Sequence, residues 1–379
     1  MRKKMILLAL TLFIGLSACG NDDKELPDEP GKEQGGNGGD EPENPDNPSG
    51  NEPVSWYVAT TGNDGNSGTL DSPLKSISKA LLRVNPGDTI FLREGAYHEF
   101  ATPTRSGEKG KLITLKSYPG ETAKIDGTGM TIKGWFSALV QLKSVQYMTF
   151  ENLHICNATN SDVNTDPEGV YINGVSRDIT FRNCKVYNIK STCLAGHNNG
   201  DWRSAHAFLV IGDDNGTPIR NLTIEKCEIY DMHTGTSETL TIAGNVDGFT
   251  IQDCEVHDVE NIGIIVAGGD NLNAGGNISV NYARNGVVRR NEVYRCSHQV
   301  SKDFWEGVYN NPAAYGAIGI YVCGGASTII EQNIVWECDR AIGLVSESNV
   351  LPKIVLCVII LFTTTIVREF TWAIISDTR

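Results

Sequence analysis

Ile179-Thr-Phe-Arg-Asn-Cys-Lys-Val-Tyr-Asn188, Leu222-Thr-Ile-Glu-Lys-Cys-Glu-Ile-Tyr-Asp231 and Phe249-Thr-Ile-Gln-Asp-Cys-Glu-Val-His-Asp258 are three copies of one phrase. Looser copies begin at Met148, Val287 and Ile329, and none follows Trp336. Each copy holds two bursts of alternating apolar residues split by a polar corner, the period-2 mark of a strand, a bend and a second strand. Such units recurring every few tens of residues predict a solenoid, because one coil cannot bury its apolar face whereas stacked coils bury a common one. With strands alone to build the coil, the solenoid is a parallel β-helix.

Between the copies runs a third strand that tends to end in glycine: Val170 to Gly174, Ala207 to Gly212, Leu240 to Gly244, Ile262 to Gly268, Ile318 to Gly324 and Ile342 to Val345. Three strands per coil satisfy a β-helix, and we call this Gly-ended ladder the first sheet. Cys184, Cys227 and Cys254 hold one position of the repeat and are expected to stack as buried thiols, since no cysteine spacing matches a disulfide framework or a zinc site. His154 and His257, inside repeat phrases, read as structural.

Upstream, Trp56 to Ala59 reads as a strand and Gly62 to Thr69 as a glycine-permitted loop. Ser72-Pro73 supplies a cap and a first helical proline, so a helix of about three turns is expected with Leu74, Ile77, Leu81 and Val84 on one face. Pro86-Gly87 ends it and Asp88 to Leu92 resumes strand. This order, with Gly95-Ala-Tyr97, Lys111 to Gly120 and Ile125-Asp-Gly127, resembles the opening of right-handed parallel β-helix proteins, including pectate-lyase-like and chondroitinase-B-like polysaccharide lyases. The resemblance covers Trp56 to about Gly127 closely and extends through the repeat to about Asn349. It implies an all-β, right-handed three-sheet solenoid over 54–349, with the helix capping its N-terminal end.

The chain of 379 residues opens with Arg2-Lys3-Lys4, an apolar run from Met5 to Leu16, and Leu16-Ser-Ala-Cys19. This resembles a bacterial lipoprotein signal over 1–18, with Cys19 as the lipidated first residue of the mature protein. The run is too short to span a bilayer, so a lipid anchor is expected to hold an exported protein at the outer membrane or cell surface. Residues 19–53 have almost nothing to bury and read as a disordered tether. They carry many of the acids behind the formal net charge of −14, leaving the remainder moderately acidic, which argues against nucleic acid as a partner. Beyond Asn349 the repeat fails. The apolar stretch from Lys353 to Val367 reads as a closing strand pair or plug, or, with 350–379 as a whole, as a truncation or shifted reading frame.

Four long insertions border the first sheet. Asn188 to Ala205 and Ser297 to Gly316 enter it, while Gly212 to Arg220 and Gly268 to Asn285 leave it. Long loops in a compact solenoid are usually functional, and loops on both borders make that face the floor of a cleft. Aromatic side chains in these loops, Trp202, Phe304, Trp305, Tyr309 and Tyr315, suit the apolar faces of sugars or equally a lid core. Arg203 joins them as a substrate-binding candidate. Acids on or beyond the sheet are Asp213, Asp214, Glu238, Asp270 and Glu347, while Lys190, His197, His206 and Arg284 flank it.

A lyase of uronic-acid chains needs the sugar carboxylate neutralised, commonly by Ca²⁺ on oxygen ligands, and a Lys, Arg or His to take the adjacent proton. The family resemblance therefore implies Ca²⁺ on Asp213, Asp214 and Asp270, although the Asp-rich cluster of such lyases is not intact in this sequence. Lys190 and His206 are the base candidates, with Glu238 and Arg284 completing the catalytic set. A glycosidase would instead pair Glu238 with Asp213 or Asp270, and Asp213-Asp-Asn-Gly216 also reads as a plain turn. The expectation is a monomeric, lipid-anchored lyase of acidic polysaccharide. A glycoside hydrolase and a non-catalytic glycan-binding or surface structural protein stand as alternatives.

Overall fold

The computed structural model describes residues 52–193, 203–269, 280–302, 304–305 and 316–345, together with the backbone of 355–357. Among them three long sheets run side by side, all strands parallel to their neighbours. The first sheet has seven strands, from Ser137–Lys143 through Pro167–Asn173, His206–Gly212, Glu238–Gly244, Ile262–Ala267 and Ile318–Cys323 to Arg340–Val345. The second has ten and carries the Thr-Ile or Thr-Phe half of each phrase. The third has eight and carries the half after the cysteine. No helix among the described residues is long and apolar enough to cross a membrane.

Register follows the repeat residue for residue. Ile179 pairs with Met148 on one side and Leu222 on the other, and Leu222 with Phe249. Threonines 114, 149, 180, 223 and 250 therefore form a column on the outside of the second sheet, while Phe150 and Phe181 stack inside at 4.6 Å. Cys184, Cys227 and Cys254 are buried in one internal column, as expected. The Cys227 thiol is pushed well above its usual value by its two thiol neighbours and by burial.

The polar corner between the second and third sheets is a column of residues in the left-handed region: Asn152, Asn183, Lys226, Asp253, Arg290 and Gln332, each with φ between 52° and 57°. A single such residue turns the chain between sheets, and Asn and Asp tolerate it best. On the outside of the third sheet Tyr187, Tyr230, His257, Tyr294 and Trp336 stack ring on ring at 4.5–5.2 Å. His257 is thus part of a structural ladder.

The N-terminal helix is shorter than its pattern predicts. It spans Ile77–Arg83, and Ser76, rather than Ser72, caps it by accepting from the Lys79 amide. Leu74 instead pairs with Val58 as a β-bridge, and the Asp64 carboxylate takes the amides of Lys75 and Ser76, which fixes extended backbone up to the cap. Leu74, Ile77, Leu81 and Val84 are all buried, so the predicted apolar face is right although the helical start is not. At the other end, Val355–Cys357 adds a strand to the second sheet beside Thr328–Glu331.

Candidate functional site

All four long insertions border the first sheet. They join the third sheet to strands His206–Gly212 and Ile318–Cys323, and join strands His206–Gly212 and Ile262–Ala267 to the second sheet. On the outer face of the first sheet, in-register pairing creates a row that crosses the coils: Ala138, Glu168, His206, Glu238, Ile262, Ile318 and Arg340. The middle of this row is Glu–His–Glu, contributed by three successive coils. His206 Nδ1 lies 3.1 and 3.0 Å from the Glu168 carboxyl oxygens, and its Nε2 lies 3.8 Å from Glu238 Oε2.

The electrostatics of this row follow from burial. Glu168 is fully buried, and desolvation pushes its carboxyl up to about 7 against the pull of His206. Burial alone would lower the His206 value, but Glu168 and Glu238 outweigh it and raise it to about 10. His206 is therefore an imidazolium at neutral pH, held between two acids. Glu238 is the member that reaches solvent, with 24% of its side chain exposed. Asp166, just ahead of this strand, is 2% exposed. Burial pushes it up to about 6 while His206 pulls it down, and its Oδ1 has no hydrogen-bond partner.

The sequence-derived candidates divide sharply in this geometry. His206 and Glu238 meet on the first sheet. Lys190 begins the short strand Lys190–Ser191, which pairs with Thr159–Asn160 in a separate two-stranded sheet, and its ammonium is 2.7 Å from Asp231. Arg284 opens a strand of the second sheet and contacts Asn245 Oδ1 at 3.0 Å and Asp247 at 3.3 Å. Asp213 accepts from the Asn173 side chain and the Gly174 amide. Asp214 accepts from the amides of Gly216 and Thr217, which is the plain turn its sequence also allowed. The two carboxylates are thus committed to backbone and amide donors, and no three His, Cys, Asp or Glu among the described residues gather as a metal would require. Asp270, the third member of the expected Ca²⁺ set, is not among the described residues. Trp202, Tyr309, Tyr315, His197, Glu347 and Cys19 lie outside them as well.

Arg203 and Trp305 face inward. Arg203 Nη2 reaches both oxygens of Glu260, at 2.7 and 2.5 Å, and Ser301 Oγ at 3.1 Å. Its guanidinium lies 4.2 Å from the Phe304 ring centre. Both partners of the ion pair are almost wholly buried, and the Gly235 amide also donates to Glu260. Trp305, 2% exposed, stacks on His298 with ring centres 3.6 Å apart. Of the two roles open to Phe304 and Trp305, a packed apolar core is the one observed.

Glu168 and Asp166 fall outside the sequence-derived candidates because the apolar pattern starts the Gly-ended strand at Val170, whereas the strand begins at Pro167. A signal was present. Counting six residues back from Gly174, Gly212, Gly244, Gly268 and Gly324 lands on Glu168, His206, Glu238, Ile262 and Ile318, the row itself.

Fold and face together define a right-handed parallel β-helix protein with an acid–histidine row on its loop-bordered sheet. The chain belongs to the Pel9A-like, right-handed beta helix region family, whose model matches residues 56–263. It is 31% identical over 292 residues to the uncharacterized protein YwoF of Bacillus subtilis, covering 77% of this chain and 58% of that one. It is 30% identical over 146 residues to pectate lyase PEL9 of Emericella nidulans, covering 34% of this chain and 33% of the relative. The chain therefore spans a little over half of the first relative and a third of the second. Among solved structures, a GH136 lacto-N-biosidase from Eubacterium ramulus superposes with a TM-score of 0.55 at 18% identity, covering 74% of this chain and 51% of that one. A rhamnogalacturonan lyase superposes at 0.50 and 12%, covering 74% and 69%. Identities this low speak for the fold alone.

Proposed function

We propose that the protein is a polysaccharide-cleaving enzyme, held outside the cell by a lipid on Cys19, that cuts uronic-acid glycans by β-elimination on the outer face of the first sheet. The observation that carries this reading is the Glu168–His206–Glu238 row, and similarity to a pectate lyase supports the reaction class. β-Elimination removes the proton beside the sugar carboxylate. The C–H electron pair becomes the new double bond, the C–O bond to the next sugar breaks, and the departing oxygen takes up a proton from water. In this reading the His206 imidazolium faces the sugar carboxylate and stabilises the charge that builds there. Glu238, the accessible acid, accepts the proton. Glu168 holds the imidazole in place and charged. Ca²⁺ is given no step, and a chelator arm in the assay tests whether the reaction needs it.

A glycoside hydrolase on the same face is favoured by one feature, the buried Asp166. With a value near 6 it could carry a proton for a leaving sugar while Glu238 acts across the bond.

The test is to incubate the full chain, in detergent, with polygalacturonate, alginate and neutral glycans, with and without chelator. The expected product is unsaturated and absorbs at the ultraviolet edge, and Glu238→Gln slows its formation by roughly 10²–10⁴-fold, the span of general-base catalysis. New reducing ends without that absorbance would replace the lyase by the hydrolase, and affinity without turnover would make the protein a binder.

A further inference from the structure

Away from the first sheet, a trough of about 410 Å³ runs along the corner between the second and third sheets. One bank is the left-handed corner column, with Asn152, Asn183 and Lys226. The floor is the first outward column of the third sheet, with Lys185 and Glu228 in register. The volume falls within the range of small-ligand sites, about 300–1,000 Å³. Because the strands are in register, the trough crosses the coils at the inter-strand spacing of about 4.8 Å, and its lining changes from coil to coil: Asn152 with His154, Asn183 with Lys185, Lys226 with Glu228, and Asp253 with Glu255.

Its charges are largely neutralised within the protein. Lys185 Nζ is 2.5 Å from Glu228, Asp253 is held by Arg290 at 2.7 Å, and Glu255 accepts from the Tyr294 hydroxyl. What is left facing the trough is amide and ammonium hydrogen-bonding capacity. The Asn183 amide donates to Asn152 Oδ1 and keeps its own oxygen, and the Lys226 ammonium, whose backbone is tied to Gln252 O, lies in the field of Glu225 and Asp253 at the exposed corner. The carboxylates disfavour an anionic polymer, and the small apolar area disfavours a hydrophobic one. Mixed donors and acceptors spaced along the coils, with their charges balanced, suit a hydroxyl-rich, uncharged chain.

We propose that this trough is a second glycan-binding site, which takes a neutral polysaccharide segment lying along the solenoid axis. It rests on the glycan reading above for the class of ligand, and on none of the first-sheet residues. Such a site would hold the enzyme on a mixed polymer while acidic stretches are cut on another face.

Affinity electrophoresis of the full chain through gels containing galactan, arabinan or xylan, with polygalacturonate as the acidic comparison, tests this. At least one neutral polymer should retard the protein, and Asn183→Leu/Lys226→Leu should weaken that retardation about fivefold or more, the worth of one or two hydrogen bonds. Lys226→Gln alone, at an exposed corner where Gln332 already holds the same backbone conformation, should weaken it too, which guards against a folding defect, and cleavage of short oligosaccharides should stay at the wild-type rate. Unchanged retardation in the variants overturns the proposal, as does a wild-type protein retarded by no neutral polymer or by polygalacturonate alone. If no polymer is cleaved but retardation falls in the variants, the trough stands and the enzyme reading fails.

Discussion

His206 lies between acids from the coils on either side, and its charge is a product of that position. Its raised value stabilises the fold fully below the unfolded histidine value of about 6.5 and loses that contribution as pH rises toward about 10. Glu168, also raised, works in the same direction: ionising it disfavours the fold between its ordinary value and about 7. Stability should therefore decline on the alkaline side, and urea midpoints measured from pH 6.5 to 10 should show it. His206→Gln should flatten the slope and cost about 3–5 kcal/mol at neutral pH, because it strands a buried carboxylate. A variant that keeps the wild-type slope would mean that His206 is not the titrating group. Which residues met in this row was hard to read, since Glu168 and His206 are 38 positions apart and only the shared register unites them.

At the scale of elements, the buried Arg203–Glu260 pair ties the segment entering strand His206–Gly212 to Ser301 and Phe304 of the segment entering strand Ile318–Cys323. Breaking a buried pair from one side is strongly destabilising, whereas replacing both partners is far milder. Arg203→Met and Glu260→Met should each lower stability by about 3–5 kcal/mol, and the double variant by clearly less than their sum. A double-mutant cycle in urea measures this, and simple additivity would show the two side chains to be uncoupled. The sequence placed Arg203 and Trp305 among sugar contacts because exposed and buried aromatic loops have the same composition. Their burial depends on partners such as Glu260, 57 positions away.

Across the whole molecule the coils were legible and the contacts between loops were not. Strand periodicity and the recurring Thr-Ile-x-x-Cys phrase constrain every coil in the same way, so the three sheets and the alignment of the repeat phrases could be read directly, while the register at the start of the first-sheet strands could not. Loop residues obey no such repetition. Stability as a function of pH should be asymmetric. Burial lowers His233 and His298 to about 4, so they favour the fold above pH 6.5 and that contribution is lost as pH falls from about 6.5 to 4. Glu168 and Asp166, raised to about 7 and about 6, gain stability over the same window and offset most of the loss. The alkaline limb belongs to His206. Melting temperatures should change little from about pH 4.5 to 6.5 and fall from there to about pH 10, and a flat alkaline limb would contradict the assignment.

The acid–histidine row takes one residue from each of three neighbouring coils, and that makes it a property of their order. Excising the coil that carries His206 would leave a shorter solenoid with every remaining strand still able to find a parallel neighbour. It would also set Glu168 directly against Glu238, about 4.8 Å apart with no cation between them. Gain or loss of a single repeat, the change that tandem sequences undergo most readily, would thus leave the architecture whole and reset the chemistry of its face.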